Sequence, residues 1–324
     1  MRSRLLWSFV VAPVVAAMGA CGLDAIGSLA GTSCDGGECE AGPALPEGGS
    51  AIDACANPPC GATVDAGATD AGATDAAPDA SVPADLLLWL DATQIVGLAN
   101  NAEVASWDDA SGMGRNATQT TQSRRPRYMT NVVGGKPAVR FDGASMFLVV
   151  PSFALFPTSS SPLSVIMVFA TTTLASQRFV LMQPHTNCTN NFELGYHTGT
   201  GSRANFGLHA GCSHADITAT NIDTQWHVYT TVIASTGTKP SNVKFFLDGS
   251  QVATQLDDAT GWPSAGSYGT DSRKLLVGAR DDIDNGNYNS YHSGDIAEIM
   301  LFDVALDATA RGALEASLKT KYGL

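Results

Sequence analysis

The stretch "GDIAEIMLFD", residues 294–303, decides how the rest of the chain is interpreted. It is an apolar run that carries two carboxylates, Asp295 and Glu298. Side chains alternate along a strand, so one face carries Ala297, Ile299 and Leu301, and the other carries Ile296, Glu298, Met300 and Phe302. This alternation turns Asp295 away from Glu298, and only a β-bulge would bring both acids to one face. The two acids are therefore either a catalytic pair or structural groups within a sheet.

Short apolar or alternating runs fill residues 85–324, among them "LSVIMVFATT", "WHVYTTVIAST" and "VKFFLDG". They are rich in Val, Ile, Phe, Thr and Tyr and are separated by Gly, Asn, Asp and Pro, as strands are. In "FFLDGSQVA", Asp248-Gly249 predicts a hairpin turn with positive φ. Many short strands without βαβ alternation predict an all-β fold, a two-sheet antiparallel jelly-roll sandwich.

One helix is predicted, at the C-terminus, in "LDATARGALEASLKTKYGL". It should begin after an N-cap aspartate, bury an apolar stripe against the sandwich, and end with two cations and a closing glycine. These signals are carried by Asp307, by Ala310, Leu314 and Leu318, by Lys319 and Lys321, and by Gly323.

Residues 1–20 are predicted to be a signal peptide, because two arginines precede an apolar stretch and small residues follow it. The stretch has 14 residues, Leu5 to Met18, whereas a membrane-spanning helix needs roughly 20. The ending "MGAC" resembles a bacterial lipobox, which implies that Cys21 is lipidated; the alternative is a plain secreted protein cut after Ala20. We expect an exported protein, anchored by its lipid to a bacterial membrane, at the outer membrane or the cell surface.

Residues 21–84 are predicted to be a disordered linker. They consist largely of Ala, Gly, Asp and Pro, contain no aromatic residue, and include the repeat "AGATDAGATD", so they cannot bury a core. Residues 22–84 hold ten acids and no Lys or Arg, and supply most of the net charge of −13. An acidic protein without a basic patch is a poor candidate for nucleic-acid binding.

The chain has seven cysteines, and an exported protein favours disulfides. If Cys21 carries a lipid, six cysteines remain. Cys188 and Cys212 are the only two after residue 85, and we predict that they form a disulfide. The linker cysteines could bind zinc by their number, but their loose spacing and their setting in a segment without a core favour disulfides; they are Cys34, Cys39, Cys55 and Cys60.

Several phrases together resemble the laminin-G-like (LamG) branch of the concanavalin A-like lectin/glucanase superfamily. They include "LLLWLDA", "VASWDDASGMGRNATQ", "VKFFLDGSQVA" and "GDIAEIMLFDVALDATARGALEASLKTKYGL". The resemblance covers residues 85–324. It implies a jelly roll with its first and last strands close together, ligand sites on the concave sheet or its rim loops, and calcium near those loops in some members. It also implies that the face with Ala297 packs between the sheets and that the face with Glu298 lies on the exposed, concave side.

The same resemblance allows a test for catalysis. Laminarinase-type glycosidases of the superfamily carry a Glu-x-Asp-x-x-Glu pattern, and here Ser293 stands at its first, nucleophile position. Retaining glycosidases need two carboxyl groups, and serine needs an activating base to act as a nucleophile. We therefore predict no catalytic residue. Glu298 is predicted to pair instead with Arg140, which opposes the core-facing residues of "AVRFD".

The densest mixture of carboxylates, amides and aromatic rings lies in "ARDDIDNGNYNSYHSGD", residues 279–295. Rim loops are where such folds place recognition, although a solvated turn is an alternative. The predicted ligand-binding residues are Asp282, Asp284, Asn287, Tyr288 and Tyr291, with Trp262 from a second loop. Asp282 and Asp284 are also the predicted ligands of a Ca2+ ion, because hard cations prefer clustered oxygens.

The predicted function is therefore non-enzymatic carbohydrate binding, with a glycan or cell-surface ligand as partner. A protein–protein adhesion module and a degenerate glycoside hydrolase are the alternatives. A second carboxylate on the concave face within reach of Glu298 would favour the hydrolase. A shallow aromatic groove without paired acids would favour a lectin, and a flat rim with exposed apolar residues would favour adhesion.

Overall fold

The computed structural model describes residues 85–158, 161–174, 176–186, 191–198, 204–210, 215–219, 223–234, 242–257 and 268–324. The signal peptide, Cys21, the linker, Trp262 and the Cys188–Cys212 pair lie outside the described residues and stay predictions. Within the described ranges, no helix is both long and apolar enough to cross a membrane.

In the described part of the chain, twenty strands and one α-helix follow one another. The strands are β1 (Leu86–Asp91), β2 (Ala102–Glu103), β3 (Ser106–Trp107), β4 (Ala117–Thr118), β5 (Arg127–Val133), β6 (Lys136–Asp142), β7 (Leu148–Phe153), β8 (Leu163–Thr171), β9 (Arg178–Gln183), β10 (Phe192–Thr198), β11 (Ala204–Ala210), β12 (Ala215–Ala219), β13 (His227–Ile233), β14 (Val243–Leu247), β15 (Ser250–Val252), β16 (Thr254–Asp257), β17 (Arg273–Val277), β18 (Arg280–Asp281), β19 (Tyr288–Asn289) and β20 (Ser293–Phe302). The helix is α1 (Ala308–Tyr322), and two short 3-10 helices span Ala92–Gln94 and Gln122–Arg124.

The strands form two antiparallel nine-stranded sheets and one small hairpin. The first sheet has the order β15-β14-β13-β8-β20-β6-β5-β2, with β1 paired to β20, and the second has the order β16-β12-β11-β10-β9-β17-β7-β4-β3. The large apolar cluster draws buried residues from both sheets, such as Leu90, Trp107, Phe169 and Leu194. The predicted all-β sandwich with a C-terminal helix is confirmed. The first and last strands lie close together as expected, since β1 pairs with β20.

Strand β20 organises the first sheet. It pairs with β8 along one edge, and along the other it pairs with β6 in its first half and β1 in its second. Its register with β8 shifts between Ile296 and Glu298, which is a β-bulge. The bulge breaks the two-residue period, so the predicted facing was wrong at three positions: Ile296 lies in the core between the sheets, whereas Asp295 and Ala297 lie on the outer side.

Helix α1 covers the outer face of the first sheet. The predicted signals at its ends are confirmed, because the Asp307 carboxylate accepts hydrogen bonds from the backbone at 309 and 310, and Gly323 has φ 68°. Leu314, Leu318 and Tyr322 join outward-facing residues of β20 in a second apolar cluster. The expectation that this face is exposed was therefore wrong around Glu298, because α1 covers it. The packing of α1 on the sheet is favourable because each large apolar side chain that it buries contributes about 1.5–3 kcal/mol.

The predicted hairpin is also confirmed. Asp248 and Gly249 join β14 to β15 with φ values of 51° and 90°. Two successive positive φ values are typical of the type I′ turn that matches strand twist.

Candidate functional site

Glu298 lies at the junction of β1, β20 and α1, and only 1% of its surface is exposed. Its Oε1 accepts a hydrogen bond from Trp89 Nε1 at 2.7 Å, and its Oε2 accepts from Lys321 Nζ and the Tyr322 hydroxyl, each at 2.7 Å. Burial raises the pKa of Glu298, with the neighbouring Asp91 acting in the same direction and Lys321 opposing both. All of these partners belong to the protein itself, so Glu298 acts as a clamp between strand and helix.

The predicted pair of Arg140 and Glu298 is not formed. Arg140 instead donates to both carboxylate oxygens of Asp295, at 2.7 and 2.8 Å, and this hydrogen bonding raises the pKa of Arg140 above its usual value. The two residues lie directly opposite each other on β6 and β20. The bulge puts both Asp295 and Glu298 on the outer face, but Glu298 lies opposite β1, where Asp91 is its neighbour.

The predicted binding loop forms a hairpin, here called the rim hairpin and defined as residues 280–292. Asp281 is fully buried at its base and accepts from Lys274 Nζ at 2.9 Å and from the Gly286 backbone N–H at 2.9 Å. Burial acts to raise the pKa of Asp281, but these hydrogen bonds outweigh it and the pKa is lowered. Asp281 is therefore ionised and structural.

The structure brings five of the six predicted ligand-binding residues together on this hairpin. Most of their side-chain groups already contact other groups of the protein, so few are available to a ligand. Asp282 forms an ion pair with Arg280 at 2.5 Å, and Asp284 pairs with Arg273 and Lys274, each at 3.0 Å.

The two tyrosines are also engaged. Tyr288 packs on Phe147 with ring centroids 4.2 Å apart, and the Tyr291 hydroxyl donates to the Tyr288 carbonyl at 3.0 Å. Of the predicted residues that the structure describes, Asn287 alone is exposed.

The side chains as they stand do not fit a calcium site. Each of the two predicted carboxylates already contacts a cation, which a calcium ion would have to displace. In the described part of the chain, no group of three or more His, Cys, Asp or Glu side chains is arranged to hold a metal. We therefore assign calcium no role at the rim hairpin, and a dependence of ligand binding on calcium stays a prediction.

A concave surface lies beside Glu298 instead, here called the β1 cleft. It consists of two pockets that share Asp91 and Gln94. The first, of about 210 Å³, lies between β1, β20 and α1, and its lining includes Trp89, Glu298, Ser317 and Lys321. The second, of about 270 Å³, lies between residues 94–98 and β2–β3, and its lining includes Ile95, Val96, Glu103, Ser106, Trp107 and Asp108.

Fixed polar groups form the floor of the β1 cleft. Asp91 accepts from the Thr93 backbone N–H and hydroxyl, each at 2.8 Å, and from Lys321 Nζ at 2.8 Å. Trp107 is fully buried, and its Nε1 has no hydrogen-bond partner in the described structure. The cleft thus offers a rigid acid and an ammonium group beside an apolar wall.

Sequence reasoning missed this cleft. The one local signal is in "LLLWLDA", where alternation places Trp89 and Asp91 on one face. What the sequence does not show is that Asp91 lies opposite Glu298, because these residues are far apart in the chain and meet only through sheet pairing.

Residues 142–310, just over half of the chain, match a laminin-G family model described as the concanavalin A-like lectin/glucanases superfamily. No curated protein matches the chain.

Several solved structures are similar to the chain at low identity. Domain 4 of AbnA, a GH43 extracellular arabinanase from Geobacillus stearothermophilus solved in complex with arabinotriose, is 13% identical, with 71% of this chain and 98% of that chain covered and a TM-score of 0.49. A Trypanosoma rangeli sialidase is 12% identical, with 78% and 36% covered and a TM-score of 0.49. A pentraxin from Limulus polyphemus is 17% identical, with 54% and 79% covered and a TM-score of 0.40. At these values the similarities carry no inference about a ligand.

Proposed function

Because the chain belongs to the concanavalin A-like lectin/glucanase superfamily, we propose that it is a non-enzymatic carbohydrate-binding protein whose binding site is the β1 cleft. A sandwich of this kind hosts enzymes, lectins and adhesion modules alike. The proposal therefore rests on the site, and the observation that carries it is the pair of pockets that meet at Asp91 and Gln94.

The chemistry of the cleft suits a sugar. A sugar ring offers several hydroxyl groups and an apolar face, and binding sites combine an apolar lining with a few placed polar groups. Here Ile95 and Val96 supply apolar surface, while Gln94, Ser106 and Ser317 supply neutral hydrogen-bonding groups. Lys321 and the buried Asp91 fix each other at 2.8 Å, so the cleft is organised before a ligand arrives, which reduces the entropy lost on binding.

The N-terminal segments extend this proposal to the cell. The lipobox-like ending at Cys21 supports an exported, lipid-anchored protein, and the acidic linker of residues 21–84 supports a tether. By random-coil scaling, such a tether would reach on the order of 45 Å. The binding domain would then sample glycans away from its own membrane.

A glycoside hydrolase is the second candidate, because a second carboxylate, that of Asp91, lies near Glu298. Asp91 and Glu298 are opposite each other on neighbouring strands, and both contact Lys321 Nζ, at 2.8 and 2.7 Å. Against this function, each is only 1% exposed and every carboxylate oxygen of the pair accepts a hydrogen bond from the protein. A hydrolase needs one carboxyl group directed at the leaving group and another at the sugar or at water.

A glycan array probed with the purified protein, with and without calcium, tests the proposed function. Pocket filling then locates the site: Ser317→Phe places a ring in the first pocket, whereas Ala313→Phe changes an exposed position of the same helix that does not line the cleft. We expect the first change to lower the affinity for the best glycan at least tenfold and the second to leave it unchanged. Release of reducing sugar from a bound glycan, lost in Glu298→Gln, would show the hydrolase instead.

A further inference from the structure

We propose that the C-terminal arm of the rim hairpin, residues 287–292, opens more readily in mild acid and that the buried His292 is the residue that makes it do so. This segment is here called the hairpin arm. Its sequence, "NYNSYH", contains one histidine and no Asp, Glu, Lys or Arg. Because tyrosine ordinarily titrates at about pH 10, His292 is the one side chain of the arm whose charge can change between pH 7 and pH 5.

The hairpin arm has few contacts with the β-structure. In the described structure, its strand β19 pairs with the two-residue strand β18 and with neither large sheet. Ser290 has a φ of 46°, a left-handed conformation that is strained for a residue other than glycine. Glycines with positive φ lie on both sides of the arm, at Gly286 and Gly294, and hinges are often small residues. We therefore expect the arm to open at a lower free energy than the core strands.

Backbone hydrogen bonds join the arm to the rest of the domain beside His292. The His292 N–H donates to the Gly278 carbonyl at 2.9 Å, and the Phe179 N–H of β9 donates to the Ser290 carbonyl at 3.1 Å. Both bonds break if the arm moves away, and the His292 side chain then leaves its site. The Phe179 amide therefore reports whether the arm is open or closed.

The site of the His292 side chain favours a neutral imidazole. The ring is fully buried and packs against Phe141, Phe169 and Tyr196, with centroids 5.8, 5.8 and 5.9 Å apart. Its Nδ1 lies 3.4 Å from the Tyr196 hydroxyl, and its Nε2 has no hydrogen-bond partner in the described structure. Burial and the nearby Arg178 lower the pKa of His292 to about 3, because a protonated ring would add a second cation to an apolar core.

The acids on the surrounding strands do not offset that charge. Asp142, at the end of β6, accepts hydrogen bonds from backbone N–H groups of its own turn. Asp295 of β20 and Glu193 of β10 form ion pairs with arginines, and β8 carries no ionisable residue. Among the described residues, no carboxylate forms an ion pair with His292. Protonation is therefore unfavourable while the arm is closed.

Acid then favours the open arm by linkage. When the arm opens, His292 reaches water and regains an ordinary pKa of about 6.5. The open form binds a proton below pH 6.5 that the closed form excludes, so opening becomes more favourable as the pH falls. Between pH 7 and pH 5, the equilibrium constant for opening should rise about 20- to 30-fold.

Amide hydrogen exchange of the intact protein at pH 7 and pH 5, corrected for the intrinsic effect of pH on exchange, tests the proposal. We expect protection of the Phe179 amide to fall about 20- to 30-fold. Because only the arm opens, low concentrations of urea should affect this amide less than the amides of β8 and β13. Ordinary carboxylates titrate at about pH 4 and stay largely ionised at pH 5.

His292→Phe keeps a ring among the aromatic neighbours and removes the titrating group. It should reduce the fall in protection to less than about twofold. His227→Gln is the matched control, because it removes a histidine outside the arm that pairs with Asp248, and it should leave the full fall in place.

Three results would contradict the proposal. If the Phe179 amide shares the urea dependence of β8 and β13, the arm opens only with the whole domain. If His292→Phe leaves the fall unchanged, His292 is not the sensor. If His292→Phe does not fold, NMR of the wild type decides: the His292 ring signals should stay constant from pH 7 to pH 5, and their titration near pH 6.5 in the folded protein would overturn the proposal.

Discussion

At the residue scale, Glu298 is a buried acid whose two oxygens connect β1, β20 and α1. It accepts hydrogen bonds from Trp89, Lys321 and Tyr322, so both oxygens of the buried carboxylate have donors. A buried polar group stabilises a fold only while its partners are present, and the loss of one partner leaves the others unsatisfied.

Replacing Glu298 by Gln should lower the free energy of unfolding by about 1–3 kcal/mol, because an amide cannot accept from all three donors at once. Chemical denaturation at pH 7 measures the change. Asp303→Asn, at an exposed acid, is the control and should change stability by less than about 0.5 kcal/mol. Equal stability of the Glu298→Gln protein and the wild type would show that the clamp contributes nothing.

His292 makes the free energy of unfolding depend on pH below pH 6.5. It lies between the sheets beside Phe141, Phe169 and Tyr196, and burial, helped by Arg178, lowers its pKa from about 6.5 to about 3. Below pH 6.5 the unfolded chain therefore binds a proton that the folded protein excludes, and stability falls by about 1.4 kcal/mol per pH unit towards pH 3. His292→Phe should remove this part of the slope, which denaturation curves between pH 7 and pH 4 measure.

The pKa of His227 is shifted in the opposite direction to that of His292, so His227 serves as the comparison. Burial acts to lower its pKa, but bonds to Asp248 at 2.6 Å and Asp223 at 3.0 Å outweigh this and raise the pKa above its usual value. Its contribution is complete below pH 6.5 and is lost as the pH rises through the raised pKa. His227→Gln should therefore flatten the curve above pH 6.5 and leave the acid slope in place; flattening on the acid side instead would contradict both assignments.

At the element scale, α1 could be predicted and the bulge in β20 could not. Asp307, the stripe through Leu318, and Gly323 are local signals that depend on nearby residues alone. The bulge depends on how β20 aligns with β8 across the sheet. Simple alternation therefore misplaced Ile296 and Ala297, and the predicted partner of Glu298 was wrong for the same reason.

The contact between α1 and the β5–β6 turn gives a test with a matched control. Gly134 and Gly135 both have positive φ, but a Cβ at Gly134 would lie 2.2 Å from the Tyr322 carbonyl oxygen, whereas a Cβ at Gly135 would meet nothing within 4 Å. Gly135→Ala should cost about 1–2 kcal/mol from its backbone conformation alone. Gly134→Ala should cost more and, by shifting α1, weaken glycan binding; denaturation and calorimetry measure the two effects. Equal costs would mean that the helix end is not held there.

At the scale of the whole molecule, strand patterns and turn residues were enough to predict the sandwich, but not the β1 cleft that we propose as the binding site. The rim hairpin gathers Asp282, Asp284 and Asn287 as predicted, but charge pairing with Arg and Lys engages both carboxylates. Composition shows which polar groups are close in sequence. It does not show which of them are already neutralised by partners from other strands.

The lipid anchor is tested on the whole molecule. Cys21→Ser should release the protein from the membrane fraction, because one lipidated cysteine is the proposed anchor, while glycan affinity stays unchanged because the binding site lies after residue 85. Detergent partitioning of cell fractions measures the first effect. An unchanged distribution of the Cys21→Ser protein would contradict lipid anchoring.

The most direct test of the central claim compares two amide truncations by calorimetry against the best glycan from the array. Gln94 is exposed and lines both pockets of the β1 cleft, and Asn287 is exposed on the rim hairpin. We predict that Gln94→Ala weakens binding about five- to tenfold, as expected for the loss of about 1–1.4 kcal/mol of hydrogen bonding, and that Asn287→Ala has no effect. Loss of affinity in Asn287→Ala with full affinity in Gln94→Ala would contradict the assignment and place the site on the rim hairpin.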